Sequence, residues 1–242
     1  MSLLKLFDFN IFVMHNYNLR TEISPRRCIF CSELIGKKRK RLQDDDNSID
    51  DMPPPRRTRR ILRLPPRKKI VVVGPKDIKI TKELFDRMVD KVDHIIDEKN
   101  IQLISNASSW SDHVSVMVFL RRQHQKSECE LKFQIPCRFD IIKRKFVDGG
   151  NPGITLGIYH ELFKISTGCD SLGDINKAIY SGAILQYDCE SLYTHFNSDV
   201  LIAFSWNRDL VGRDDDYASH VWMNSTATKK IHICLYDLYL ST

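Results

Sequence analysis

Two blocks of basic side chains carry the clearest chemistry in the chain, and that chemistry is recognition of negative charge. Lys37, Lys38, Arg39, Lys40 and Arg41 form one run, with Arg26 and Arg27 upstream of it. This spacing matches a two-part nuclear import signal, whose receptor reads an extended backbone through acidic and aromatic pockets. The second block, RRTRRILRLPPRKK, supplies Arg56, Arg57, Arg59, Arg60, Arg63, Arg67, Lys68 and Lys69. Guanidinium groups offer planar two-point hydrogen bonds to phosphate, so nucleic acid or an acidic membrane surface would satisfy this block. Such binding is sensitive to salt and largely blind to sequence. Ser48 sits between the blocks in DDDNSIDDM, where a phosphate would add negative charge beside the cations.

Other chemistries find less support. Cys28-Ile-Phe-Cys31 has the spacing of half a zinc site, but no second closely spaced Cys or His pair follows, so no metal site is expected. Seven cysteines, an odd number without framework-like spacing, suit reduced thiols in a cytosolic or nuclear compartment. His160-Glu161 lacks the second His of a metalloprotease helix, and nucleophile-elbow, phosphate-loop and dinucleotide-loop motifs are missing. His94 and His232 read as structural, Trp110, Trp206 and Trp222 as packing residues, and no cofactor is implied. Glu83, Asp112 and Glu130-Cys-Lys132 come in the order used by metal-dependent nucleases of the restriction type, where two carboxylates hold Mg²⁺ and the lysine steadies a water. The same acidic-x-Lys spacing recurs at Asp77-Ile-Lys79 and Asp97-Glu-Lys99, so solvent-facing charge on a strand accounts for it as well.

The elements that must carry these residues divide the chain in two. Residues 37 to 69 hold thirteen basic and five acidic side chains, a charge of +8, while the rest of the 242 residues holds 24 basic and 26 acidic ones. Five prolines (53 to 55, 65 and 66) and blocks of like charge predict a disordered, basic, Pro-rich tail over 1–69, opening on a short apolar segment at 2–14. That segment carries Lys5 and Asp8 and lacks a cleavage site, so it is not read as a signal peptide; the sequons at Asn106 and Asn224 are then chance matches. A single folded domain is expected over 70–242. KIVVV (69 to 73) reads as a buried strand. Leu84, Phe85, Met88, Val89, Val92, Ile95 and Ile96 mark one face of a helix over 81–98 with Thr81 as its N-cap. Val114, Val116, Val118 and Leu120 alternate, as do Leu131, Phe133 and Ile135, which predicts half-buried antiparallel strands. Further strands are expected at 139–146, 153–158, 182–188, 199–206, 218–223 and 229–240, with a short helix at 171–180. One long helix before many strands predicts an α+β fold with a mostly antiparallel sheet.

The order of these features resembles the layout of rhabdovirus matrix proteins, in particular those of plant viruses that mature in the nucleus: an apolar N-terminus, KKRKR, an acidic spacer, PPPRR at 53–57, then an α+β body. The resemblance implies a non-enzymatic structural protein of the virion, directed to the host nucleus by an import receptor, that joins nucleocapsid or nucleic acid to an acidic membrane and self-associates through its body. Arg56 stands after the prolines where many animal-virus relatives carry a Pro-Pro-x-Tyr budding motif. The layout is also similar to coat proteins of plant single-stranded DNA viruses, with a basic nucleic-acid-binding arm and a strand-rich body.

Overall fold

Ile70, Val71, Val72 and Val73 are all fully buried, a state a strand reaches only with cover on both of its faces. Val200–Ser205 is buried along its whole length in the same way. These two strands are the centre of a sheet that the computed structural model describes through residues 66–75, 79–108, 110–124, 128–147, 151–187, 197–210 and 217–240. All of these belong to the second of two contact units, Leu62–Thr242. Arg26, Arg27, Cys28, Cys31, the run Lys37 to Arg41, Ser48, and Arg56, Arg57, Arg59, Arg60 and Arg63 lie outside the described residues, as do the 2–14 segment and the rest of the expected tail up to residue 65, whereas Lys68 and Lys69 at its end belong to β1.

In chain order the elements are β1 (Lys68–Val73), α1 (Lys82–Ile95), β2 (Ile101–Ser105), α2 (Ser111–His124), β3 (Cys129–Ile135), β4 (Phe139–Asp140), β5 (Lys145–Phe146), α3 (Asn151–Thr167), α4 (Ser171–Tyr180), β6 (Ile184–Tyr187), β7 (Val200–Ser205), α5 (Tyr217–Asn224), β8 (Lys229–Cys234) and α6 (Leu235–Leu240). Six strands form one sheet in the order β6-β3-β2-β1-β7-β8, and every neighbouring pair is parallel. Ile70 stands opposite Leu103 on one side and Val200 on the other, which sets the central register. β4 and β5 make a separate antiparallel hairpin.

The expected α+β class with a mostly antiparallel sheet is therefore corrected to α/β with a parallel sheet and six helices among the described residues. The segment around 114–120 is helix α2, 153–158 lies in α3, 218–223 lies in α5, and 229–240 divides into β8 and α6. The cause is local. β3 reads CELKFQI because Cys129, Leu131, Phe133 and Ile135 face the core shared with α1 to α4, while Glu130, Lys132 and Gln134 face the side on which α5 is the one helix among the described residues. Alternation of that kind marks one covered face and says nothing of strand direction.

Alternate strand residues feed two cores. Ile70, Val72, Leu103, Leu131, Phe133, Ile202 and Phe204 pack with Leu84, Phe85, Met88, Val114, Phe119, Phe163 and Ile175 from α1 to α4. Val71, Val73, Leu201 and Ala203 pack with Ala218 and Val221 of α5 on the opposite face. α1 forms as its pattern predicts: Thr81 Oγ1 accepts from the Leu84 N–H at 3.3 Å, and the five buried side chains share one face. α4 likewise matches its expected span, capped by Asp170, whose carboxylate accepts from the Gly173 N–H.

Arg122 ties α2 to the far end of α1. Its Nε donates to Asp93 at 2.7 Å, and its terminal nitrogens donate to the carbonyls of Asp93, Ile96 and Glu98, the acceptors that the end of a helix leaves unpaired. With Arg122 only 8% exposed, an Arg122→Leu variant would strand these buried acceptors and the Asp93 carboxylate. The expected loss is about 3 kcal/mol in denaturant unfolding, and a change below about 1 kcal/mol would contradict it.

Candidate functional site at the carboxyl edge of the sheet

The chain runs β1, β2, β3, β6 toward one edge of the sheet, then returns to lay β7 and β8 on the other side of β1. Strand order reverses between β1 and β7. In open α/β sheets the crevice beyond the carboxyl ends of two such strands is where ligands bind, because the connections leave in opposite directions and part there. Three segments converge on that point.

The first is the end of β1. Gly74 lies so close to its neighbours that a Cβ there would stand 2.9 Å from Ser111 Cβ and 3.0 Å from Phe204 Cβ. Glycine is what lets the first residue of α2 and the end of β7 close on the β1 backbone.

The second is the turn from β2 into α2, residues 106–112. Ala107 and Trp110 both take left-handed backbone, at φ 54° and 69°, a conformation that costs a side-chain-bearing residue about 1–2 kcal/mol. A dense set of bonds holds it. The Ser105 hydroxyl accepts from the Ala107 N–H and donates to the Asp112 carbonyl, and the Ser108 hydroxyl donates to the Asp112 carboxylate. The Trp110 ring packs edge-on against Phe163 at 5.4 Å.

His160 of α3 braces the turn from below. Its Nε2–H donates to the Ala107 carbonyl at 2.8 Å and its Nδ1 accepts from the Ser171 hydroxyl at 2.7 Å. This pattern uses the neutral ring. Burial, reinforced by the charge of His113, takes the imidazole down to about 3 despite the bond to Ala107. Beside it the fully buried His113 places Nε2 3.3 Å from Asp174, which also accepts from Lys177 at 3.0 Å. Burial alone would raise the Asp174 carboxyl, but the bond and charge of His113, followed by those of Lys177, hold it below the usual range.

The third segment comes from the other face. Tyr217 opens α5, and burial together with the Asp112 carboxylate pushes its phenol upward. Asp112 lies in the first turn of α2, which packs on β1, and Tyr217 opens α5, which packs on β7 and β1. On the β7 side the Ser205 hydroxyl donates to the Asn207 carbonyl, leaving its lone pairs to accept from His232 Nε2, each at 2.8 Å. Burial lowers the His232 ring, partly offset by the charge of Asp209.

Of the seventeen buried polar or charged residues among the described residues, seven fall between Ser105 and Ser115. Such a concentration of small polar groups around the start of α2 suits a ligand with hydroxyls and an anionic group: Asp112 accepts from hydroxyls, and backbone N–H groups at a helix amino end receive an anion.

Of the residues singled out from the sequence, Asp112, Trp110, His160 and His232 fall at or beside this edge, and the others are placed elsewhere. Arg67, just before β1, and Lys68, its first residue, lie at the amino edge, paired with Glu130 and Glu98; the Lys69 N–H donates to the Asp199 carboxylate and the Lys69 carbonyl accepts from the Asp199 N–H. Glu130 stands opposite Gln102, three residues or about 10 Å short of the Ser105 level, so it does not join Asp112. Glu83 is exposed in the first turn of α1, where a backbone N–H and the Thr81 hydroxyl hold its carboxyl low. Among the described residues no three His, Cys, Asp or Glu side chains form a group able to hold a metal ion. His94 lines a shallow depression with Arg87, Asp90, Lys91 and Leu238. Trp110 is buried, and Trp206 and Trp222 are partly buried against the two cores. Cys129, Cys137, Cys169 and Cys234 form no disulfide among the described residues, and burial raises Cys129 to about 11. Gly74, Ser108, His160 and Tyr217 are what sequence reasoning missed. The usable signal was a glycine directly after a fully apolar strand and the run SNASSWSD between two apolar segments.

No protein-family model matches the chain, and no solved structure matches it. An uncharacterized protein of Acanthamoeba polyphaga mimivirus is 29% identical over 177 residues, covering 66% of this chain and 88% of that protein.

Proposed function

We propose that the α/β body is a small-ligand-binding domain whose site is the carboxyl edge at β1 and β7, and that its ligand is nucleotide-like, joining hydroxyl groups to a phosphate. The observation that supports this most is the reversal of strand order between β1 and β7, with Gly74 at the end of β1 held against Ser111 of α2 and Phe204 of β7. Asp112 orients the hydroxyls, the amino end of α2 takes the phosphate, and Gly74 gives the close approach. The test is thermal denaturation of the full chain against nucleoside mono- and diphosphates and sugar phosphates. A saturable rise in Tm is expected for at least one class. Asp112→Asn should shift the titration midpoint upward about tenfold or more, the worth of a hydrogen bond to a charged acceptor. No rise with any of these compounds, or an unchanged midpoint in the variant, would remove the proposal.

The concentration of +8 within residues 37–69 favours a second role for the same chain. In this reading the Lys37–Arg41 run directs the protein to a nucleus and the arginine block contacts a polyanion, which leaves the body free to bind its ligand. The matrix-type resemblance implies an α+β body, which the parallel sheet does not supply, so it keeps only its N-terminal layout; the mimivirus relative is compatible with a viral source. Alanine at all five positions 37–41 should leave a large fluorescent fusion in the cytoplasm. In gel shifts, affinity for nucleic acid should fall steeply from low to physiological salt. A fusion that stays nuclear, or a flat salt response, would count against the respective half.

A further inference from the structure

Ile142 is 91% exposed, more than any other large hydrophobic side chain among the described residues, and it stands at the tip of the β4–β5 hairpin. The chain gives it a cationic collar. Lys143, Arg144 and Lys145 follow it directly, Arg138 precedes the hairpin, and all four are exposed. Asp140 is the one acid among them, so residues 138–147 carry +3. None of the four cations forms an ion pair among the described residues, in contrast to Arg67, Lys68, Arg121 and Arg122 of the same body.

The tip is stiff. Asp140 Oδ1 accepts from the N–H groups of Ile142 and Lys143 at 3.0 and 2.9 Å, and Arg144 closes the turn with φ 50°. Phe139 and Phe146 pack edge to face at 5.2 Å across the base, and Phe146 stacks on His160 at 5.5 Å. The body therefore holds an isoleucine out into solvent by construction, at the centre of unpaired positive charge.

We infer that this hairpin docks the protein on an anionic lipid bilayer, with Ile142 entering the acyl boundary while Arg138, Lys143, Arg144 and Lys145 meet lipid phosphates. The charge complementarity is that of a polybasic site on an acidic leaflet. The aliphatic tip separates lipid from nucleic acid: a polynucleotide would use the cations but leaves Ile142 in water, because bases stack on aromatic or guanidinium planes. A single aliphatic side chain ringed by cations is matched by a surface that is itself apolar beneath an anionic layer.

The experiment uses the full chain, in which the separate basic segment also attracts anionic surfaces, so the neutral variant Ile142→Ser carries the test. Partitioning is measured on phosphatidylcholine vesicles with and without 30 mol% phosphatidylserine, a composition chosen for the assay, roughly physiological in its acidic content. The inference expects binding only with phosphatidylserine, a roughly tenfold weaker partition for Ile142→Ser, and an unchanged gel shift with a DNA duplex. Combined Lys143→Ala, Arg144→Ala and Lys145→Ala should weaken partitioning about a hundredfold at low salt. Circular dichroism confirms that each variant is folded. The inference is overturned if Ile142→Ser partitions like the parent, since the basic segment alone then accounts for binding. It is equally overturned if the substitution weakens the DNA gel shift while vesicle binding stays, or if it only disperses a dimer in sedimentation.

Discussion

Acid should unfold the parent protein well before it unfolds a His160→Gln variant relative to its own neutral-pH stability. The His160 ring is held near 3 in the folded chain by burial and by the charge of His113, against 6.5 for a free imidazole. Its folded value is depressed, so the stability it contributes is complete above 6.5 and is lost as pH falls, because the unfolded chain takes up a proton that the folded one refuses. The slope is about 1.4 kcal/mol per pH unit, so about 3 kcal/mol is gone by pH 4. The protonated ring would also lose Nδ1 as the acceptor for Ser171, the bond that orients the ring whose Nε2–H braces the Ala107 carbonyl. Gln at this position keeps an N–H for the Ala107 carbonyl and does not titrate. Urea unfolding from pH 7 to pH 4 should show the stability gap between parent and variant shrinking by roughly that slope. A gap that stays constant across the window would mean that His160 is not held neutral, and the account of the 106–112 turn would lose its brace.

Gly74→Ala is the second large effect, and it reads the close approach directly. The added methyl would sit 2.9 Å from Ser111 Cβ and 3.0 Å from Phe204 Cβ, both well inside van der Waals contact and neither on a flexible side chain. Either α2 or β7 must yield. Overpacking of this kind costs about 1–3 kcal/mol. Because Ser111 opens α2, the displacement moves Asp112 and should weaken ligand binding beyond the loss of stability. Gly157 is the internal control. A Cβ there meets nothing within 4 Å, and it lies in the middle of α3, so Gly157→Ala should raise stability by about 0.5–1 kcal/mol through helix preference alone. If Gly74→Ala matches Gly157→Ala in denaturant unfolding, the packing of α2 on β1 is looser than described and the site loses its floor.

What the sequence made legible depended on how each element is covered. α1 was plain because one face is buried and the other solvated, and Thr81 marks its start. β1 and β7 were visible as unbroken apolar runs. α2 was not, because His113, Val114, Ser115, Val116 and Val118 are all fully buried: a helix covered nearly all round has no stripe, and its alternating valines imitate a strand. α3 begins Asn-Pro-Gly and carries Gly157, punctuation that reads as a turn, although proline near the start of a helix loses no bond that the helix would make. β2 was overlooked between two stronger signals. The strand direction hid behind β3, whose polar face lacks a helical cover.

The candidate site was legible only in pieces. Asp112 stood out as a carboxylate but was grouped with Glu83 and Glu130, which the parallel register sets apart. His160 was tested against a metal motif it does not satisfy, while its role is to hold a strained turn through two hydrogen bonds. Tyr217 and Gly74 acquire meaning only when β7 is laid beside β1, a pairing between residues some 130 positions apart, as Lys69 and Asp199 are. No local pattern encodes that return.

The central claim is that the β1/β7 carboxyl edge binds a ligand, and hydrogen–deuterium exchange on the full chain tests it most directly, with and without the compound that gives the largest thermal shift. Protection is predicted for peptides spanning 70–75, 104–113 and 203–210, at the two strand ends and the start of α2. Protection confined to the basic segment or to the β8–α6 end, with those three peptides unchanged, would contradict the account.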